Sequence, residues 1–89
     1  MQTLKIIIQG RVQGVYFRAF TRKTARKLAI TGTVKNLPTG QVEIIATADA
    51  IAMEAFIKWC HQGPLMAKVT KVNITTLPIQ YFTDFMIID

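Results

Sequence analysis

At 89 residues the chain has room for one hydrophobic core, since two would each fall below the size that folds unaided, and residues 1–89 read as a single domain. With 51% hydrophobic and 18% charged residues it is too apolar to stay disordered, yet no apolar run approaches the ~20 residues that span a bilayer. The net charge of +6 is lopsided: residues 1–42 carry every base but Lys58, Lys68 and Lys71 and no acid at all, a field that draws anions toward the N-terminal half.

Leu4-Lys5-Ile6-Ile7-Ile8 is short and rich in β-branched residues, and with Gly10 as its boundary it predicts a buried first strand. From Phe17 to Ile30 the pattern turns helical, with Phe17, Phe20, Thr24 and Leu28 on one stripe and Thr31-Gly32 as the stop. Arg18, Arg22 and Arg26 share another face of that helix, and Arg22, Lys23, Arg26 and Lys27 read as a solvated surface. Thr33 to Asn36 is a second strand. Leu37-Pro38-Thr39-Gly40 places proline and glycine where a hairpin turn wants them. Gln41 to Thr47 then alternates Val42, Ile44 and Ala46 against Gln41, Glu43 and Ile45, as a third strand should.

Asp49 is a plausible N-cap for a second helix, whose Met53, Phe56, Ile57 and Cys60 follow helical spacing until Gly63-Pro64. Val69 to Thr76 makes a fourth strand and Phe82 to Ile88 a short last one. The order is β-α-β-β-α-β plus a short C-terminal strand. It predicts an α+β protein, a ferredoxin-like α/β sandwich with two helices on one face of a mostly antiparallel sheet.

Scarcity narrows the chemistry. One histidine and five acids (Glu43, Asp49, Glu54, Asp84, Asp89) assemble no convincing metal site, so neither metal nor cofactor is expected. A nucleophile–base dyad would need His61, which on a helix points about 100° away from its neighbour Cys60. Cys60 therefore reads as a buried inert thiol, His61 as a helix-end surface residue, Trp59 as packing and Glu43 as a solvated strand carboxylate. A lone cysteine and an N-terminus without signal-peptide features suit the cytoplasm.

The informative stretch is Gly10-Arg11-Val12-Gln13-Gly14-Val15-Tyr16-Phe17-Arg18, between the first strand and the first helix. Two glycines let the chain curl so that successive N–H groups converge on an anion at the positive end of the helix. Arg18 adds a planar, two-pronged donor suited to phosphate oxygens. By itself the pattern also fits a plain strand-to-helix turn, and it is not a Walker A loop, since no Gly-Lys-Ser/Thr occurs.

That stretch resembles the signature of the acylphosphatase family. So do Thr31-Gly32-Thr33-Val34-Lys35-Asn36 with Gly40-Gln41-Val42-Glu43, the stretch Trp59 to Pro64 with Ala67-Lys68-Val69, and Phe85-Met86-Ile87. The resemblance implies hydrolysis of the carboxyl-phosphate bond of acyl phosphates to carboxylate and inorganic phosphate, without a metal. In the family the arginine closing the first motif binds phosphate together with loop amides. That role falls on Arg18, with the amides of Gly14, Val15, Tyr16, Phe17 and Arg18. The asparagine ending the second motif orients the attacking water, a role that falls on Asn36. The chain departs from the family at Thr33, where an aromatic residue is frequent, and at Thr39, where an acid is frequent. Some members pair the phosphate-binding arginine with the terminal carboxylate, here that of Asp89. The implied partners are a small-molecule acyl phosphate and, as product-like ligands, inorganic phosphate or sulfate. No nucleic acid and no membrane are expected, and the chain is expected to act as a monomer.

A mixed anhydride suits so sparse a toolkit, because its carboxylate leaving group is stable without protonation. Phosphoryl transfer passes through a loose transition state that asks chiefly for charge stabilisation and alignment. The competing readings are a basic ferredoxin-like RNA-binding module and a non-catalytic regulatory module. An RNP1 pattern laid on Gln13 to Phe20 matches only at Gly14, Phe17 and Phe20, and Gln41 to Thr47 offers no aromatic platform. Intact Arg18 and Asn36 weigh against the regulatory module.

Overall fold

In the computed structural model, which describes Met1 to Asp89, the elements follow the expected order. They are β1 (Gln2–Arg11), α1 (Phe17–Lys27), β2 (Thr31–Asn36), β3 (Val42–Ala48), α2 (Ala50–Gln62), β4 (Lys68–Leu77) and β5 (Phe85–Ile87). The strands form one sheet in the order β4-β1-β3-β2-β5, and every pairing is antiparallel except that of β2 with β5. Leu4, Ile6 and Ile8 of β1 pair with Ala46, Ile44 and Val42 of β3, and all six are buried on the face the helices cover. This is the ferredoxin-like sandwich that the element order predicts. No helix is long and apolar enough to cross a membrane.

β1 departs from the expected buried strand in two ways. Lys5 and Ile7 face the helix-free side and are only half-buried, so one face of the strand, not both, enters the core. Nor does Gly10 end it: the register with β4 shifts between Gln9 and Gly10, and pairing resumes through Arg11 and Lys68. Gly10 sits at φ 125, where a Cβ would collide with the Lys68 carbonyl, so only glycine keeps the two strands paired through the bulge.

α1 buries a different stripe from the one the spacing suggested. Phe17, Thr21 and Ala25 face the sheet, while Phe20 is exposed and Thr24 and Leu28 are half-buried. Small residues at 21 and 25 let the helix lie close to the strands, and the Thr21 hydroxyl is satisfied by the Phe17 carbonyl at 2.8 Å. The helix stops at Lys27, before Ile30. Ala29 takes the left-handed conformation at φ 58, and the Ile30 and Ala29 N–H groups donate back to Ala25 O (2.8 Å) and Arg26 O (3.1 Å). That turn frees β2 to begin at Thr31, ahead of the expected Thr33.

The hairpin and the second helix match expectation closely. Gly40 N–H donates to Leu37 O at 3.1 Å and Leu37 N–H to Gln41 O at 2.8 Å, closing the turn between β2 and β3. Asp49 caps α2 by accepting from Ala52 N–H at 2.8 Å, and Met53, Phe56 and Cys60 are buried.

The last strand is shorter than predicted because residues 78–84 are occupied otherwise. They cross the helix-free face from β4 at one sheet edge to β5 at the other. There Thr47 Oγ1 donates to Gln80 O (2.6 Å) and Gln80 N–H donates to Thr3 Oγ1 (2.9 Å), so two buried threonines pin the strap. At its end Asp84 receives the Arg26 guanidinium through two contacts of 2.8 and 3.1 Å. Arg26 is therefore ion-paired and not simply solvated. The Phe85 N–H first, and then Arg26, hold the Asp84 carboxyl below its ordinary range.

Candidate active site

A cleft of about 440 Å³ opens where β1 runs into α1 and β2 ends, lined by Val12, Gly14, Tyr16, Phe17, Arg18, Ala19, Asn36 and Ile87. The start of α1 is fixed by Phe17, whose buried ring packs on Trp59 of α2 with centroids 5.5 Å apart. Tyr16 precedes it in the left-handed conformation (φ 63, ψ 23), so the chain turns sharply into the helix. No side chain caps this end and its first turn holds no acid. The first helical bond is that of Phe20 N–H to Tyr16 O at 3.1 Å, and no backbone N–H from Gly14 to Ala19 donates to another protein group. α2 differs in having a side-chain cap, Asp49, whereas the start of α1 leaves a continuous run of loop and first-turn N–H groups without protein partners.

Gly14 adds the approach. It lies at φ 76, and a Cβ there would meet no protein atom within 4 Å, so its bare backbone faces the open cleft. Arg18, in the first turn, lines the same space half-buried. The two ion pairs of the molecule are Arg26–Asp84 and Lys35–Glu43, so Arg18 carries its charge without a carboxylate partner and Asp89 does not pair with it. No acidic residue lines the cleft.

Asn36 approaches from the sheet. As the last residue of β2, paired with buried Val42, it stands on the face the helices cover. Its Oδ1 is buried and has no hydrogen-bond partner among protein groups, an arrangement that costs stability unless a donor arrives. Gln13 reaches across from the loop: its Nε2 donates to Leu37 O at 2.9 Å and to Gln41 O at 2.8 Å.

The fold thus brings Gly14, Tyr16, Phe17, Arg18 and Asn36 to one cleft. Val15 does not line it, because its side chain packs against the core. Sequence reasoning passed over Val12, Ala19 and Ile87 as lining residues. Ile87 arrives only through the parallel pairing of β5 with β2, for which no local signal exists. The residues set aside earlier stay outside. Cys60 is fully buried, with its thiol pushed up by desolvation. His61 is exposed, its Nδ1 3.0 Å from Ile57 O. Glu43 lies on the helix-free face, 3.9 Å from Lys35. Thr33 is on that face too, paired with Met86, and Thr39 Oγ1 donates to Gln41 Oε1 at 3.0 Å within the turn.

An uncapped helix start, a curled glycine loop, a guanidinium without a carboxylate partner and a carboxamide line one cleft of this α/β sandwich, a donor set of the kind that suits a small oxyanion. The sequence matches the Acylphosphatase family profile over residues 4–87, and the chain belongs to the acylphosphatase family. An acylphosphatase of Marinobacter nauticus is 48% identical to it over 81 residues, covering 90% of this chain and 88% of that protein. The crystal structure of acylphosphatase from Bacillus subtilis superposes with a TM-score of 0.97 at 36% identity, over 100% of both chains. Full-length HypF, in its phosphate- and nucleotide-bound form, contains the same fold. The TM-score is 0.92 at 29% identity over 99% of this chain, which corresponds to 12% of HypF.

Proposed function

We propose that this chain performs the acyl phosphate hydrolysis of its family through the groups gathered at the start of α1. The phosphoryl group sits against the unpaired N–H groups from Gly14 to Arg18, with the Arg18 guanidinium on its equatorial oxygens. These donors are already oriented, so the charge spread over those oxygens in a loose transition state is stabilised without reorganisation. Asn36 Oδ1 accepts a hydrogen from the attacking water and so turns a lone pair of the water oxygen toward phosphorus. The new P–O bond forms as the bond to the acyl oxygen breaks. That electron pair leaves on the carboxylate, and both water hydrogens finish on phosphate oxygens. The leaving group needs no proton, which is consistent with a cleft that contains no acid or histidine.

The observation that carries this reading is the run of unpaired amides and an unpaired guanidinium that the start of α1 brings to the cleft, together with an acceptor without a protein partner that the end of β2 brings to it. The buried thiol of Cys60 has no need of an oxidising compartment, which fits a cytoplasmic location. The direct test is hydrolysis of benzoyl phosphate by parent and Arg18→Ala protein, with and without EDTA. We expect EDTA-insensitive turnover in the parent, competitively inhibited by inorganic phosphate, and in the variant neither turnover nor phosphate binding by titration calorimetry. Full turnover by Arg18→Ala would remove this residue from the mechanism.

A further inference from the structure

Gln13 sends both hydrogens of its side-chain amide out of the phosphate loop to the two ends of the β2–β3 turn, Leu37 O and Gln41 O. Those carbonyls already accept backbone N–H groups from Gly40 and Leu37, so the clasp is not there to satisfy them. What it adds is a fixed span between loop and turn. Leu37 directly follows Asn36, whose own Oδ1 makes no hydrogen bond that could hold the side chain in place. The loop and Arg18 reach the cleft from the β1–α1 junction and Asn36 from the end of β2. Among side-chain hydrogen bonds, those of Gln13 are the ones that join the loop to the strand end bearing Asn36.

We propose that Gln13 is a positioning residue that sets the distance between the phosphate-holding loop and Asn36, and hence the alignment of water with phosphorus. The inference rests on the reading of the loop and Asn36 given above. It separates two properties that a purely structural glutamine would change together. The loop amides and Arg18 travel as one unit on the start of α1, so phosphate binding survives loss of the clasp. Turnover does not, because a misplacement of about 1 Å can cost on the order of 100-fold.

Three variants test this by benzoyl phosphate kinetics, corrected for uncatalysed hydrolysis, with inorganic phosphate as inhibitor and a melting curve for each protein. For Gln13→Leu we expect kcat to fall about 10- to 100-fold, while the phosphate inhibition constant stays within about threefold. Gln13→Glu places a carboxylate against two carbonyl oxygens when ionised but regains one O–H donor when protonated. Its kcat relative to the parent should therefore rise as pH falls toward the ordinary glutamate range near ~4.3, whereas the Gln13→Leu ratio stays flat. In the double variant Gln13→Leu/Asn36→Leu, the glutamine change should add less than about threefold to the loss from Asn36→Leu alone, since the group it positions is gone. Phosphate inhibition weakening in step with kcat, additive losses in the double variant, or a flat Gln13→Glu profile would each overturn the proposal. If Asn36→Leu kept full turnover, the underlying reading of Asn36 would fail. If that variant were inactive while Gln13→Leu ran at the parent rate, only this inference would fail.

Discussion

Replacing Asn36 with leucine should raise stability and remove activity in the same molecule. No protein group donates to the buried Oδ1, so it costs the folded state up to about 1–3 kcal/mol while no water sits on it. Leucine keeps a side chain of similar size beside Val12, Phe17 and Ile87 of the cleft wall and also suits a strand better than asparagine. Imperfect fit of the branched end offsets part of the gain, so the net change should be about +1 kcal/mol, or about 4–8 °C in Tm for a domain this small. In the same protein kcat for benzoyl phosphate should fall about 100- to 1,000-fold, equivalent to roughly 3–4 kcal/mol of barrier, because no acceptor orients the water. The inhibition constant for inorganic phosphate should stay within about threefold, since the loop amides and Arg18 are untouched. Urea unfolding followed by fluorescence, together with steady-state kinetics, reads all three quantities. Retained kcat would refute the water-orienting role. A clear loss of stability would show that Oδ1 is satisfied in the folded protein, and a parallel loss of phosphate affinity would place Asn36 on the phosphate itself.

Ala29 occupies a left-handed position that favours glycine, so Ala29→Gly should stabilise the chain by up to about 1 kcal/mol, read as a higher Tm; a lower Tm would show that the turn after α1 is unstrained. The stripe on α1 predicts that Ala25→Leu, forced between helix and sheet, destabilises by about 1–3 kcal/mol, while Phe20→Gln on the exposed side stays within about 0.5 kcal/mol in urea unfolding. Similar effects at the two positions would mean the helix is rotated from the orientation described. The lowered Asp84 titration has a defined sign: its contribution to stability is present above the unfolded carboxylate range near ~3.9 and is lost as pH falls through the folded value. Asp84→Asn should therefore flatten the acid limb of the stability curve below about pH 4 and leave its shape near neutrality unchanged; an unaltered acid limb would remove Asp84 from the linkage.

What the sequence disclosed and what it concealed divide along physical lines. Local signals carried far: Asp49 as cap, the Met53-Phe56-Cys60 stripe, the Leu37–Gly40 turn and the alternation from Val42 each depend on a few neighbouring residues, and each is found. Spacing and hydrophobicity point to Phe20 for the buried stripe of α1, whereas close contact with the sheet selects the smaller Thr21 and Ala25. Gly10 reads locally as the end of β1, but here the glycine accommodates a bulge against Lys68 and the strand continues. The strap across the open face, the Arg26–Asp84 pair and the Gln13 clasp link positions far apart in the chain, and no periodicity announces such contacts. For the site, Arg18, Asn36 and the glycine loop were legible as a motif. Their meeting at one cleft follows from the crossover that carries β2 to its place beside β3.

The central claim is that a run of unpaired amides at the start of α1, together with Arg18, is where a phosphate dianion is held. Amide proton–nitrogen NMR during a titration with inorganic phosphate reads this residue by residue. Saturable shifts should centre on Gly14 to Arg18 and vanish in Arg18→Ala protein, whose remaining spectrum stays folded. Shifts concentrated elsewhere, or an undiminished response without Arg18, would contradict the account.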